Sequence, residues 1–449
     1  MTRRLAAHPV PPGTDWRYVL GSATLVAFLL QVATGTALAT IYVPSTSEAY
    51  QSLQFITHDA AWGRVLRGMH YFGAGAMVVL IGAHMSRVFL TGSYKFPRQM
   101  NWLSGVVLLL LTLLMAFTGQ ILRWDQDGLW SGVVAAEQAA RIPGIGRSLA
   151  HLVLGGTTVG APTLSQSFAV HVFFIPALIF AGIGFHLYLV LRTGISERQS
   201  IAPAVVDPAT YRAWYHDLLV RRGRPFWPDA GWRDAVMAVL VVGVVLVLAI
   251  VVGPKPLGRP PDPTSITASP RPDWYFLWYF ALLAVLPHAV ESYVIVLAPL
   301  AFGLALVLLP IVASRGRRSL RSRPWAVAIV AGAVAVIAWF WPLGVRAPWS
   351  PDFEAHPLSA QAVGSTDSDV AAGAALFYSK GCEYCHAIAG QGGERGPDLS
   401  DVGHRLNHPQ FVARVLGGGP NMPAFVGKLS PAELGTLIAF LESRRTAPR

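Results

Sequence analysis

Charge is scarce in this chain: of 449 residues only 13% are Asp, Glu, Lys or Arg, against about 25% in a soluble globular protein. With 53% hydrophobic residues and a mean hydropathy of +0.46, this shortage excludes a soluble enzyme, a disordered chain and an ordinary nucleic-acid-binding protein. Cysteine is nearly missing as well. Cys382 and Cys385 are the only two, too few for a disulfide scaffold or a cysteine-ligated iron–sulfur cluster.

Long apolar runs take the place of charge. A helix needs about 20 residues to cross a bilayer, and seven runs qualify: Tyr18–Tyr42, Gly68–Ser86, Asn101–Leu122, Ser167–Leu191, Ala235–Gly253, Ser292–Ser314 and Pro324–Val345. Trp274–Pro287 is apolar but too short, and Pro270, Pro272 and Pro287 bracket it, so it reads as a helix at the membrane surface. Met1–Arg17 leads directly into a full span, without the pattern of a cleavable signal peptide.

The net charge of +11 follows membrane topology. With the N-terminus in the cytoplasm, 18 of the 35 basic residues fall on the cytoplasmic side and 8 in the outer connections, the bias of the positive-inside rule. An odd number of spans then puts the C-terminus outside. The expected organisation is a four-helix part over residues 1–198, a three-helix part over 199–345, a linker over 346–369 and a small polar domain over 370–449.

Histidines inside spans are costly and point to function. His70 and His84 are 14 residues apart in the second span, about 40° short of four full turns and about 21 Å along the axis, so they share one face. His171 and His186 in the fourth span are 15 apart. That leaves an offset of about 60°, which a bend at Pro176 can absorb. Facing pairs, His70 with His171 and His84 with His186, suit two haem irons held through neutral imidazoles. Gly21 and Gly35, and Gly105 and Gly119, repeat the 14-residue spacing and offer the gaps that a flat macrocycle needs.

With the strings Gln31-Val-Ala-Thr-Gly35 and Phe117-Thr-Gly-Gln-Ile-Leu-Arg-Trp-Asp-Gln126, this pattern resembles cytochrome b of the Rieske/cytochrome bc complexes. The 15-residue spacing is similar to the plastid and cyanobacterial branch, and the last three spans, preceded by Phe226-Trp-Pro-Asp229, resemble the partner called subunit IV. The resemblance covers about Asp15–Val345. It implies an all-α membrane fold, a four-helix dihaem bundle followed by three further transmembrane helices. Val19 stands where the plastid-type protein has a cysteine that tethers an extra haem, so a covalent haem there is excluded.

Pro272-Asp273-Trp274-Tyr275 resembles the family's outer quinol-site signature, Pro-Glu-Trp-Tyr, with aspartate for glutamate. A carboxylate at the lip of an apolar pocket suits the protons shed by quinol, so the resemblance places catalysis at Asp273 and Tyr275. The aspartate leans toward a low-potential quinone such as menaquinone. Asp273 as a simple helix cap is the competing reading. The family also implies that Trp130–Leu154 helps to wall this site and to receive a Rieske iron–sulfur protein. Arg67 and Arg87 lie about one turn from His70 and His84 and suit haem propionates, or else snorkel at span ends. A second, cytoplasmic quinone site is expected near His186 and Arg192.

Gly381-Cys-Glu-Tyr-Cys-His386 is a c-type haem attachment pattern. Cys382 and Cys385 form the thioethers and His386 is the proximal ligand. Met422 is the only methionine after the motif and the expected second ligand. Gly396-Pro-Asp-Leu399, with helices over 369–379 and 431–444, resembles class I cytochromes c. A zinc site from Cys382, Cys385, His386 and His404 is the alternative.

Together these features imply the membrane core of a quinol:cytochrome c oxidoreductase in a bacterial cytoplasmic membrane, with its cytochrome c domain on the outer, periplasmic side. Two haem b, one covalent haem c and quinol are the expected cofactors and substrate. A separate Rieske protein, a soluble or membrane-bound cytochrome c or terminal oxidase, and a second copy of the complex are the expected partners. A dihaem anchor passing electrons without bifurcation, and a haem-based sensor, are the other readings.

Overall fold

The computed structural model describes residues 6–203, 205–265, 270–346, 356–393, 396–419 and 422–445, and only the backbone at 288 and 289. Residues 347–355 of the linker, Arg3 and Arg4, and residues 420–421 beside Met422 lie outside the described residues. The protein is all-α. Its β structure among the described residues is two short ribbons, Pro9–Val10 with Arg224–Pro225 and Ala387–Ile388 with Gln391–Gly392.

Seven helices are long and apolar enough to span a membrane: α1 (Leu20–Ala39), α3 (Gly63–Leu90), α4 (Gln99–Ile121), α7 (Ala161–Thr193), α9 (Gly231–Val251), α11 (His288–Val312) and α12 (Pro324–Arg346). They match the seven expected runs in order. Shorter helices lie between them: α2 (Ala49–His58), α5 (Gln126–Ala140), α6 (Gly146–Leu154), α8 (Pro208–Arg222) and α10 (Leu277–Ala284). The last of these is the short apolar segment, and its 8 residues are far too few to cross.

Two compact units form. The first, residues 1–123, 167–257 and 272–346, holds the spans. Here α1 packs on α3, α4 on α7, and α9 against both α1 and α3. Ala27, Phe28, Met77, Ile81, Ile175 and Ile179 make a buried apolar layer, and Met77 stands midway between His70 and His84. Within a membrane such a layer holds the helices together by close van der Waals packing.

The end of this unit beyond His84 and His186 is fastened differently. Glu197, fully buried, takes Arg318 at 2.5 Å and the Tyr211 hydroxyl at 2.6 Å, and Arg98 reaches the same hydroxyl at 2.8 Å. Lys95 donates to the carbonyls of Ala313 and Arg315. Arg323 donates to Phe89 O and Tyr94 Oη. Residues counted for topology therefore also bind the N-terminal helices to the segment before α12.

The second unit comprises residues 124–166, 258–271 and 347–449. Asp125 caps α5 through Gly128 N and accepts from Gly258 N, while the Gln126 amide pairs both ways with the Asp262 backbone at 2.7 Å. Lys428 forms an ion pair with the Asp262 side chain at 2.9 Å. The C-terminal domain is built from α13 (Ser368–Ser379), α14 (His408–Gly417) and α15 (Pro431–Glu442). Its core gathers Phe377, Ile388, Phe411, Phe425, Leu437 and Phe440. Gly373 lets α13 lie against Phe440 and Thr436 of α15, where any side chain would collide. The capping boxes Asn407/Gln410 and Ser430/Glu433 start the last two helices.

Candidate functional site

The four span histidines reach their positions through helix register. On α3, His70 and His84 lie on one face. On α7 the extra residue is taken up by a π turn, Val170–Phe174, which contains His171 itself and carries an Ile175 N–H to Val170 O bond. The sequence points to Pro176 as the device that absorbs the offset. The structure adds the π turn immediately before it, where one residue is inserted without disturbing the helix beyond. His70 and His171 then face each other with ring centroids 6.3 Å apart and planes at 72°, room for one metal atom with a bond of about 2 Å to each ring.

Each glycine sits against an imidazole. A Cβ at Gly35 would come 3.0 Å from His70 Cε1, at Gly119 2.7 Å from His171, at Gly21 3.2 Å from His84 and at Gly105 3.7 Å from His186. The glycines thus make room for the ligands themselves, in addition to the surface that would meet a macrocycle. Three imidazoles are also held by hydroxyls: Thr34 to His70 Nδ1 at 3.0 Å, Thr118 to His171 Nδ1 at 3.0 Å, and Ser104 to His186 Nδ1 at 2.8 Å. Each hydroxyl already donates its proton to a helix carbonyl, at Leu30, Leu114 and Asn101 respectively. With its proton so placed, the hydroxyl accepts from Nδ1–H, the tautomer in which Nε2 is the nitrogen available to a metal. These residues fit a bis-histidine haem. The sequence reading did not include the hydroxyls, although each immediately precedes one of the spaced glycines.

Arg67 is buried, and donates to Thr57 Oγ1 and to Lys255 O at 2.9 and 2.8 Å, so it braces α2 and the chain after α9. Arg87 lies 4.1 Å over the Tyr18 ring, and its Nε is buried without a hydrogen bond. It lines a cavity of about 220 Å³ with Arg17, Tyr18, Thr91, Glu197, Arg198, Gln199 and Ser200. That lining is cationic and suits an anionic or quinone-like ligand. Arg192 is exposed on the last turn of α7 and is not in this lining.

On the other side, Asp273 is buried, and its backbone N–H reaches Gln120 Oε1 at 3.4 Å. The Tyr275 hydroxyl donates to Oδ2 at 3.1 Å. Burial, and then the Asp273 charge, push the Tyr275 phenol well above its ordinary range, so it stays a donor. Lys255 stands 3.9 Å from Oδ1, a partner the sequence reading did not identify. Oδ1 is buried and makes no hydrogen bond among the described residues. Asp273 is therefore more than a helix cap: α10 begins four residues later, and no cap bond to it forms. Trp274, held by Trp341 Nε1 on its carbonyl, lies over Gly75 and lines an apolar cavity of about 500 Å³ with Tyr71, Phe72, Met237 and Val245.

In the C-terminal domain Cys382 and Cys385 lie in one short turn. His386 Nδ1 donates to Pro397 O at 2.8 Å, again freeing Nε2, and Gly396 lies against the ring where a Cβ would be 2.5 Å away. These residues fit a covalent haem. Met422 is paired by its backbone with Gly419. No cluster of three or more His, Cys, Asp or Glu arranged for a metal ion exists among the described residues, which removes support from the zinc alternative. His404 bonds Arg445 O and His408 bonds Glu442 instead.

Comparison with known proteins agrees with this geometry. Family models described as cytochrome b/b6/petB and cytochrome b(C-terminal)/b6/petD match residues 5–194 and 260–356, and one for cytochrome c oxidase, cbb3-type, subunit III matches 368–441. Cytochrome b6 of Heliobacterium mobile is 39% identical over 43% of this chain and 91% of its own length. That of Acaryochloris marina is 38% identical over 42% and 87%. A solved chain titled hyperthermophilic respiratory Complex III superimposes with a TM-score of 0.66 at 26% identity, covering 77% of this chain and 88% of its own.

Proposed function

Since the chain belongs to the cytochrome b/b6 family, as a cytochrome b6-type subunit fused to a cytochrome c domain, we propose that it is the quinol-oxidising core of a proton-translocating quinol:cytochrome c oxidoreductase. The observation that carries this reading is the buried Oδ1 of Asp273, next to Trp274 of the apolar cavity, which has Lys255 at 3.9 Å but no hydrogen bond among the described residues. A buried acceptor without a donor is costly, and a quinol hydroxyl is a donor that an apolar cavity of this size admits.

Asp273 accepts the hydroxyl proton, Tyr275 holds the carboxylate from the other oxygen, and Lys255 steadies its charge. The apolar lining excludes water and orients the ring. Haem, when bound at His70/His171, at His84/His186 and at Cys382/Cys385 with His386 and Met422, supplies reversible one-electron transfer. The protein supplies fixed imidazoles near each membrane face, so that one electron of each pair has a route across the bilayer. The other leaves to a separate Rieske protein, for which this chain carries no ligands. The cationic cavity around Arg87 and Arg198 serves the cytoplasmic quinone, and Arg67 acts as a brace for the outer end. The charge bias supports a cytoplasmic N-terminus with the c domain outside, and the complex works as a homodimer with menaquinone as the favoured substrate.

The test is quinol-dependent reduction of the b haems in membranes. Asp273→Asn keeps the shape and removes the acceptor, and is expected to abolish turnover while haem content is unchanged. Undiminished turnover would overturn the reading in favour of a dihaem anchor.

A further inference from the structure

We propose that the residue immediately before each of the four spaced glycines tunes the haem it faces, by granting or denying the ligand histidine an acceptor for Nδ1–H. On this reading Leu20 withholds from His84 the acceptor that Thr34 offers His70. The proposal rests on the ligand assignment above.

The four positions are Thr34, Thr118, Ser104 and Leu20, ahead of Gly35, Gly119, Gly105 and Gly21. Three carry hydroxyls, and all three hydroxyls lie at hydrogen-bond distance, 2.8–3.0 Å, from a histidine Nδ1. Leucine has no polar atom, and His84 makes no hydrogen bond among the described residues. The His84 ring is nevertheless posed like that of His70. From the Cβ position of Gly21 its Cε1, Nδ1 and Nε2 lie at 3.2, 3.6 and 3.8 Å, against 3.0, 3.6 and 3.9 Å for His70 from Gly35. What differs is the side chain at position 20.

The chemistry follows from the imidazole. A hydrogen bond from Nδ1–H to an oxygen pushes electron density toward Nε2 and makes it a more basic ligand. A more basic ligand favours ferric over ferrous iron, one of the levers by which a protein sets haem potential. The His70/His171 site has two such bonds and the His84/His186 site has one. Transfer between the sites moves one electron, oxidising the outer iron and reducing the inner one with no bond made or broken.

The experiment is a redox titration of the b-haem absorbance in the purified, haem-loaded protein. Leu20→Ser supplies the missing acceptor and is expected to lower only the cytoplasmic haem's potential. Thr34→Val removes one and is expected to raise only the outer haem's, with Thr34→Ser restoring it. The expected size is about a fivefold to tenfold change in the ferric/ferrous ratio at fixed potential, tenfold being about 59 mV for one electron. Leu20→Ala, which changes packing alone, should leave the potential in place. Unmoved potentials in Leu20→Ser and Thr34→Val, with both b haems present, overturn the proposal. Retention of both b haems in His84→Ala overturns the ligand assignment instead, so the two failures are separable.

Discussion

At the His70/His171 end of the four-helix bundle a methyl group at Gly119 or Gly35 would come within 2.7 or 3.0 Å of an imidazole carbon, whereas at Gly21 or Gly105 at the His84/His186 end the gap is 3.2 or 3.7 Å. The His84/His186 end has instead the buried cluster of Glu197, Arg318, Arg98 and Tyr211. One end is held by close packing and the other by charge. Contact distance should govern tolerance to substitution at the first end, and charge balance should govern it at the second.

The largest effect is expected from breaking the charge cluster. Glu197→Ala leaves Arg318 buried and uncompensated, a change that costs about 3–5 kcal/mol. A melting transition lowered by that much, with the His70/His171 spectrum intact, is the expected result. Gly119→Ala comes next. Overpacking costs about 1–3 kcal/mol, and the displaced His171 should lower the b-haem content, measured against c haem by absorbance.

Gly105→Ala should retain both haems, because 3.7 Å is ordinary contact. Loss of haem in both glycine variants would erase the contrast between the halves. The smallest effect concerns pH. Burial, with Arg323 and Arg318 nearby, pulls the Lys95 ammonium from 10.5 down to about 8. The folded state then binds fewer protons than the unfolded state between those values, so stability rises with pH across that window. Melting curves from pH 8 to 10 should show wild type gaining on Lys95→Met, and parallel curves would count against it.

Much of this was legible in the sequence, for identifiable reasons. The spans follow from composition, and the c-type motif is local because two thioethers and a ligand must come from adjacent residues. The histidine and glycine pairs follow from helical periodicity. The hydroxyls were equally local, at Thr34, Thr118 and Ser104, but serine and threonine inside helices ordinarily bond their own backbone, so nothing marked them as second partners. Lys255 was not legible, since it lies 18 residues from Asp273 and meets it only through the turn after α9. In the sequence Arg98, Arg318 and Arg323 count only as charges beside spans, and only packing shows that they are buried fasteners.

The π turn at Val170–Phe174 changes what residue counts mean in this protein. A ligand spacing of 14 on α3 and 15 on α7 describes the same rise between two imidazoles, once one residue is stored as local unwinding. Counting along the chain therefore measures winding and not distance. A one-residue deletion in that turn is a repairable change, because the remaining residues can close into an ordinary helix with both histidines still a membrane's half-width apart. The same deletion on α3, where no slack is stored, would rotate His70 away from His84 by about 100°.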